Sequence, residues 1–162
     1  MKVYNTVEEY LSDPANDDGI PIYTTCGGFD PLHIGHLRCI LETSEMARSD
    51  GAKAVIVVNG DGFLVRKKGK PFMKQDERAE IIAGIRGVSA AVIWDDGTQT
   101  CIGAIEKLKP KVFTKGGDRA KPEDIAEWSI CQQVGCDVVF NVGGGKIQSS
   151  SWLTGGTDEK DR

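Results

Sequence analysis

"IPIYTTCGGFDPLHIGH", residues 20–36, joins an apolar, β-branched run to a glycine pair and then to the chain's two histidines, three residues apart. The run reads as a strand ending near Cys26. The spacing of Leu37, Ile40, Leu41 and Met46 predicts a helix opening near Gly35 and running to about residue 48. Gly27, Gly28, Phe29, Asp30 and both histidines then share one strand-to-helix loop. In a parallel sheet such a loop lies beyond the carboxyl ends of the strands, where ligands bind.

Four more apolar runs follow: "KAVIVVN" (53–59), "AAVIW" (90–94), "KVFT" (111–114) and "DVVFNV" (137–142). Each is short and continuous, as for strands covered on both faces. Stretches with helical spacing alternate with them at 75–86, 99–108 and about 122–134, the last opening on Pro122 and Glu123. The expectation is an α/β fold, a doubly wound, mostly five-stranded parallel sheet with helices on both faces. Residues 1–19 read as an N-terminal extension with a brief helix after Thr6, residues 20–153 as the main domain, and 154–162 as a polar, flexible tail.

The net charge of −4 provides no general field for drawing in nucleic acid, so any polyanion must be held by local groups. Five cysteines with no CxxC pair favour free thiols over a zinc or disulfide framework. The absence of a leader-like or membrane-length apolar stretch gives the expectation of a soluble, cytoplasmic protein.

His33 and His36 sit one turn apart at a helix start, where free N–H groups favour phosphate. Two imidazoles aimed at one phosphorus can stabilise charge that grows during displacement there. A buried core histidine and a zinc pair are the alternatives, and a dinucleotide loop would need a GxGxxG that "CGGFDPLHIG" lacks. "NGDGFLVRKKGKPF" (59–72) reads as a basic loop with Asp61, Arg66, Lys67, Lys68 and Lys70 at the same rim, a clamp for phosphate or a merely solvated segment. Neither glycine–lysine pair in the chain makes a P-loop. "TKGGDR" (114–119) adds Lys115, Gly116, Gly117, Asp118 and Arg119, and "KIQSSSWL" (146–153) adds Gln148, Ser149, Ser150 and Ser151, a run able to open a helix on phosphate. "WDDGTQT" (94–100) suits a polyhydroxylated substrate through Asp95, and equally suits a solvated helix start capped by Asp96 or Thr98.

"GGFDPLHIGH" resembles the signature of the HIGH-motif nucleotidyltransferases, a cytidylyltransferase-like superfamily of Rossmann-like fold. Residues 58–88, "FTKGGD" and "KIQSSSWL" are similar in content and order to segments of its heptose 1-phosphate nucleotidyltransferases, with glycerol-3-phosphate cytidylyltransferase the nearest competitor. Class I aminoacyl-tRNA synthetases share the histidine motif, but this chain is far shorter and has no "KMSKS".

The resemblance implies transfer of an NMP group from ATP or CTP, with Mg2+, to a small phosphorylated acceptor. It makes His33, His36, Lys68 and Ser150 catalytic. The nucleotide falls to Gly27, Gly28, Phe29, Asp30, His33, His36, Lys115 to Asp118 and Gln148 to Ser151. The acceptor falls to Asp61, Arg66, Lys68, Asp95 and Arg119, with Asp30 ordering its loop or a magnesium shell. A homodimer is also implied. Trp152 stands where the family often has a basic residue. An FMN adenylyltransferase and a non-enzymatic nucleotide sensor are the rival readings.

Overall fold

A computed structural model describes residues 2–117 and 121–144. The central strand β4 (Lys53–Asn59) alternates along its length: Ala54, Ile56 and Val58 face one helical layer, while Val55 and Val57 face the other. All are buried, so the uninterrupted apolar run is a strand covered on both faces. Each such Val or Ile contributes roughly 1.5–3 kcal/mol by leaving water.

The other strands are β1 (Val3–Tyr4), β2 (Ile22–Thr24), β3 (Cys26–Gly27), β5 (Val88–Trp94), β6 (Val112–Thr114) and β7 (Asp137–Val139). Among the described residues they form one seven-stranded sheet in the order β1-β5-β4-β2-β6-β7, with β3 also beside β4, and each of these pairings is parallel. The expected first strand is thus split at Thr25, whose carbonyl still accepts Val57 N–H at 3.0 Å. Helix α2 (Ile34–Ser49) and α4 (Gln75–Ala83) bury Ile40, Ala47, Ala79 and Ile82 on one face. On the other face, α1 (Val7–Ser12), α5 (Ile102–Leu108) and α6 (Trp128–Val134) bury Val7, Tyr10, Ala104, Ile105, Leu108, Ile130 and Cys131.

From β2 the chain moves to β4 and β5 on one side, then returns to β6 on the other. The direction of winding therefore reverses between β2 and β6, which opens a crevice at their carboxyl ends. The histidine loop and the loop after β6 flank it.

Three local expectations change. The N-terminal residues do not stand apart: β1 extends the sheet, with Val3 opposite Ala91 and Tyr4 opposite Val92. Helix α1 is capped as its sequence indicated, Glu9 N–H donating to Thr6 Oγ1 at 3.0 Å. Residues 61–68 are not loop but helix α3 (Asp61–Lys68), stopped by Gly69 at φ 94. Finally, Pro122–Asp124 form a 3-10 turn and the helix proper begins only at Trp128. Among the described residues, no helix is long and apolar enough to cross a membrane.

Candidate active site

The two imidazoles are bound to the backbone of their own loop. His33 is the N-cap of α2, and its Nδ1 accepts the N–H groups of Gly35 at 3.1 Å and His36 at 3.4 Å. His36 Nδ1 in turn accepts His33 N–H at 3.4 Å. A ring nitrogen that accepts cannot carry the proton, so each neutral ring is protonated at Nε2 and is a donor there. The rings stack with centroids 3.7 Å apart and 18° between planes, and Phe29 meets His36 edge-on at 5.2 Å. Both are half-buried. Gly35 keeps this arrangement open, since a Cβ there would lie 3.0 Å from the His33 ring.

The loop carrying them is held from below by Arg78 of α4, which is fully buried. Its Nη1 donates to the carbonyls of Gly28 at 2.9 Å and Asn59 at 2.5 Å, its Nε to Met73 O at 2.9 Å, and its Nη2 to Asp61 Oδ1 at 2.7 Å. Four acceptors from three stretches of chain meet on one guanidinium. Asp30 ties the same loop sideways: its buried carboxylate accepts Phe72 N–H and Met73 N–H at 2.6 Å each and pairs with Lys68 Nζ at 2.8 Å. These bonds tie the histidine loop to residues 68–73. Phe29, expected to line the nucleotide, belongs to the core cluster, at φ 52.

In the basic segment, read as a phosphate clamp or a solvated stretch, Arg66 and Lys68 meet protein partners. Lys68 Nζ also donates to Asp30 O at 2.8 Å. Arg66 donates from Nε to Gln99 Oε1 at 2.8 Å and from Nη2 to Asp95 Oδ1 at 2.5 Å and Thr98 O at 3.1 Å. Asp61 receives Arg78, and its N–H donates to Gln75 Oε1 at 2.8 Å. Neither Asp96 nor Thr98 caps a helix. They bond each other in a turn, while α5 starts after Cys101, whose N–H donates to the buried Glu127 carboxylate at 3.0 Å.

The crevice's other wall is fixed to α2. Thr43 and Thr114 share a buried hydroxyl bond of 2.7 Å, and Thr25 Oγ1 donates to Thr114 O at 2.8 Å. Lys115 reaches the rim with its backbone paired to Val139 and Val142 and its ammonium 5.3 Å from the centre of the Phe113 ring. A Cβ on Gly116 would lie 3.2 Å from Cys39 Sγ, and one on Gly143 only 2.6 Å from Cys39 N. Both glycines are there because α2 passes so close. Burial pushes the Cys39 thiol above its ordinary range, so it fills space between these turns in its protonated form.

The structure thus gathers Gly27, Gly28, Asp30, His33, His36, Asp61, Lys68, Arg66, Asp95, Lys115, Gly116 and Gly117 around the carboxyl ends of β3 to β6. Asp118, Arg119, Gln148, Ser149, Ser150, Ser151 and Trp152 lie outside the described residues. Sequence reasoning missed Arg78, Gln75, Gln99 and Glu127. For Arg78 a signal existed: it stands four residues before Ile82 and beside Ala79, in phase with the apolar face of its helix, where a charge demands buried partners.

Residues 24–139 match the family model described as Cytidylyltransferase-like. Similar curated proteins include Bifunctional protein HldE of Geobacter metallireducens, 38% identical over 128 residues that span 78% of this chain and 23% of that protein. Another is Bifunctional protein HldE of Koribacter versatilis, 35% identical over 120 residues, 70% of this chain and 23% of that protein. The chain spans under a third of the length of these relatives. A lipopolysaccharide core biosynthesis protein from Thermoplasma volcanium shares the fold at TM-score 0.59 and 23% identity, over 80% of this chain and 98% of that one. A pantoate-beta-alanine ligase from Francisella tularensis does so at TM-score 0.53 and 11% identity, over 86% and 66%. With the histidine loop, the parallel sheet and a family match across most of its length, this chain belongs to the cytidylyltransferase-like family.

Proposed function

We propose that the protein transfers a nucleotidyl group from ATP or CTP to the phosphate of a sugar phosphate, most simply a sugar 1-phosphate. A phosphate oxygen of the acceptor bonds to the α-phosphorus as the bond to the bridging oxygen of the β-phosphate breaks, and pyrophosphate leaves. The acceptor is already an anion, so no nucleophilic side chain is needed; catalysis is positioning and charge stabilisation.

The observation that carries this reading is the anchoring of both Nδ1 atoms to backbone N–H groups, which leaves Nε2–H as the donor of each ring. Two such donors, stacked and held before the substrate arrives, suit an α-phosphate whose negative charge grows in the transition state. Mg2+ enters as part of the triphosphate substrate. Among the described residues there is no group of three or more His, Cys, Asp or Glu able to hold a metal, and the Asp30 carboxylate is already engaged by two N–H groups and Lys68.

The test is pyrophosphate release on mixing the protein with Mg2+, each NTP in turn and a panel of sugar 1-phosphates, glycerol 3-phosphate and FMN. Turnover with a sugar phosphate supports the proposal. Turnover confined to glycerol 3-phosphate or FMN reassigns the acceptor, and tight NTP binding with silence across the panel makes the protein a sensor. Light scattering on the same sample tests the homodimer that the resemblance implies.

A further inference from the structure

We propose that Arg66 is a positioning residue that clamps the 95–99 turn onto α3 as the acceptor-side wall of the site, and that it is not a ligand of substrate phosphate. This rests on the nucleotidyl-transfer reading only for what the wall faces; the clamp itself stands on the geometry.

Arg66 uses its planar fork on three acceptors of one turn: the Asp95 carboxylate, the Thr98 carbonyl and the Gln99 amide oxygen. Gln99 completes the loop by donating from Nε2 to Phe63 O at 3.2 Å, back on the helix that carries Arg66. Asp95 Oδ1 also accepts Gly97 N–H at 3.0 Å, which closes the turn internally. The N-cap of α3 is Gly60, with no side-chain cap bond, and a Cβ on Gly62 would fall 2.2 Å from Asp95 Oδ2. The carboxylate therefore sits against the first turn of α3, and Gly62 is the residue that admits it.

The clamp adjoins the site. Asp95 follows β5, a Cβ on Gly60 would lie 3.2 Å from Asp95 Cβ, and the next residue, Asp61, is held by the same Arg78 that holds Gly28 of the histidine loop. The turn thus stands on the β4–β5 side of the histidines, away from the β2–β6 crevice. A guanidinium already shared among three protein acceptors gives rigidity to that side, and the benefit of rigidity is an acceptor held in line for attack.

Arg66→Lys separates the two roles, because a point charge can serve a phosphate but cannot span three acceptors. In the unliganded protein, amide exchange of residues 95–100 is expected to rise on the order of tenfold in both Arg66→Lys and Arg66→Met. With whichever panel acceptor turns over, both variants should raise its KM about tenfold while the NTP KM stays within about twofold. Gln99→Leu should add little to either, since it breaks the same clamp. Unchanged exchange in both variants overturns the clamp. A Lys variant with wild-type acceptor KM beside a failing Met variant overturns it in favour of a phosphate ligand. The exchange measurement needs no substrate, so a wrong reaction and a wrong clamp fail separately.

Discussion

Residues 27–36 and 59–72 both leave strands at the same rim; from sequence the first reads as a ligand loop and the second as a phosphate clamp or a solvated segment. In the first, both histidines bond backbone N–H groups two or three residues away, so their arrangement is local. The second is a helix whose charges are taken up by partners far along the chain, Arg66 by residues 29 to 33 positions on and Lys68 by Asp30, 38 positions back. A cation in sequence advertises its charge but not its partner. In a folded protein that charge can serve the frame as readily as the ligand.

The largest test of this contrast is Arg78→Met. It removes the donor shared by Gly28, Asn59, Met73 and Asp61, and leaves buried acceptors unpaired, so urea unfolding should show a loss of about 3–5 kcal/mol. A loss under ~1 kcal/mol would mean that water replaces the guanidinium at little cost.

His36→Ala comes next, acting on rate. Turnover should fall on the order of a hundredfold while NTP affinity, read by calorimetry, stays within a few-fold, as for removal of a transition-state donor. Equal losses in binding and rate would make the ring a ground-state contact.

Asp30→Asn should cost about 1–3 kcal/mol, since the amide can neither pair with Lys68 nor accept both the Phe72 and Met73 N–H groups as a carboxylate does. Thermal unfolding measures it, and an unaffected midpoint would remove the loop tether.

The smallest effect is in pH. Hydrogen bonding from Arg66 above all, opposed by burial and helped by the Gly97 and Phe63 N–H groups, holds the Asp95 carboxyl below its ordinary value. A depressed folded pKa means that the stabilisation is complete above the unfolded value and fades as pH falls through the folded one. The stability difference between wild type and Asp95→Asn, within about 1 kcal/mol for such a partly exposed pair, should be level from neutrality down to roughly pH 5 and shrink below pH 4. A gap that widens in acid would contradict the pairing.

The parts of the molecule readable in advance were those governed by period and neighbour. The buried strand at 53–59, the helix from the histidines to residue 49, and the Thr6–Glu9 cap all depend on residues within a few positions of each other. Strand β1 was missed because two residues cannot display a period, and its partner is some 88 positions away. Helix α3 was missed because "DGFLVRKK" buries only Phe63 and Leu64, too little to mark an apolar stripe. At the site, the position of the histidine loop was legible. The Arg78 hub was not, since Gly28 and the Asn59 and Asp61 pair lie 17 to 50 positions away and only the fold brings them to the guanidinium.

The margins of the sheet have a practical meaning. Among the described residues its outermost ribbons, β1 and β7, are two and three residues long, while the seven-residue β4 and β5 are enclosed between them. Stubs of that size offer a stray chain almost no ladder on which to grow. Cutting away residues 2–12 would uncover the flank of β5 together with the oily seats of Val7 and Tyr10, and the shortened protein should clump when concentrated.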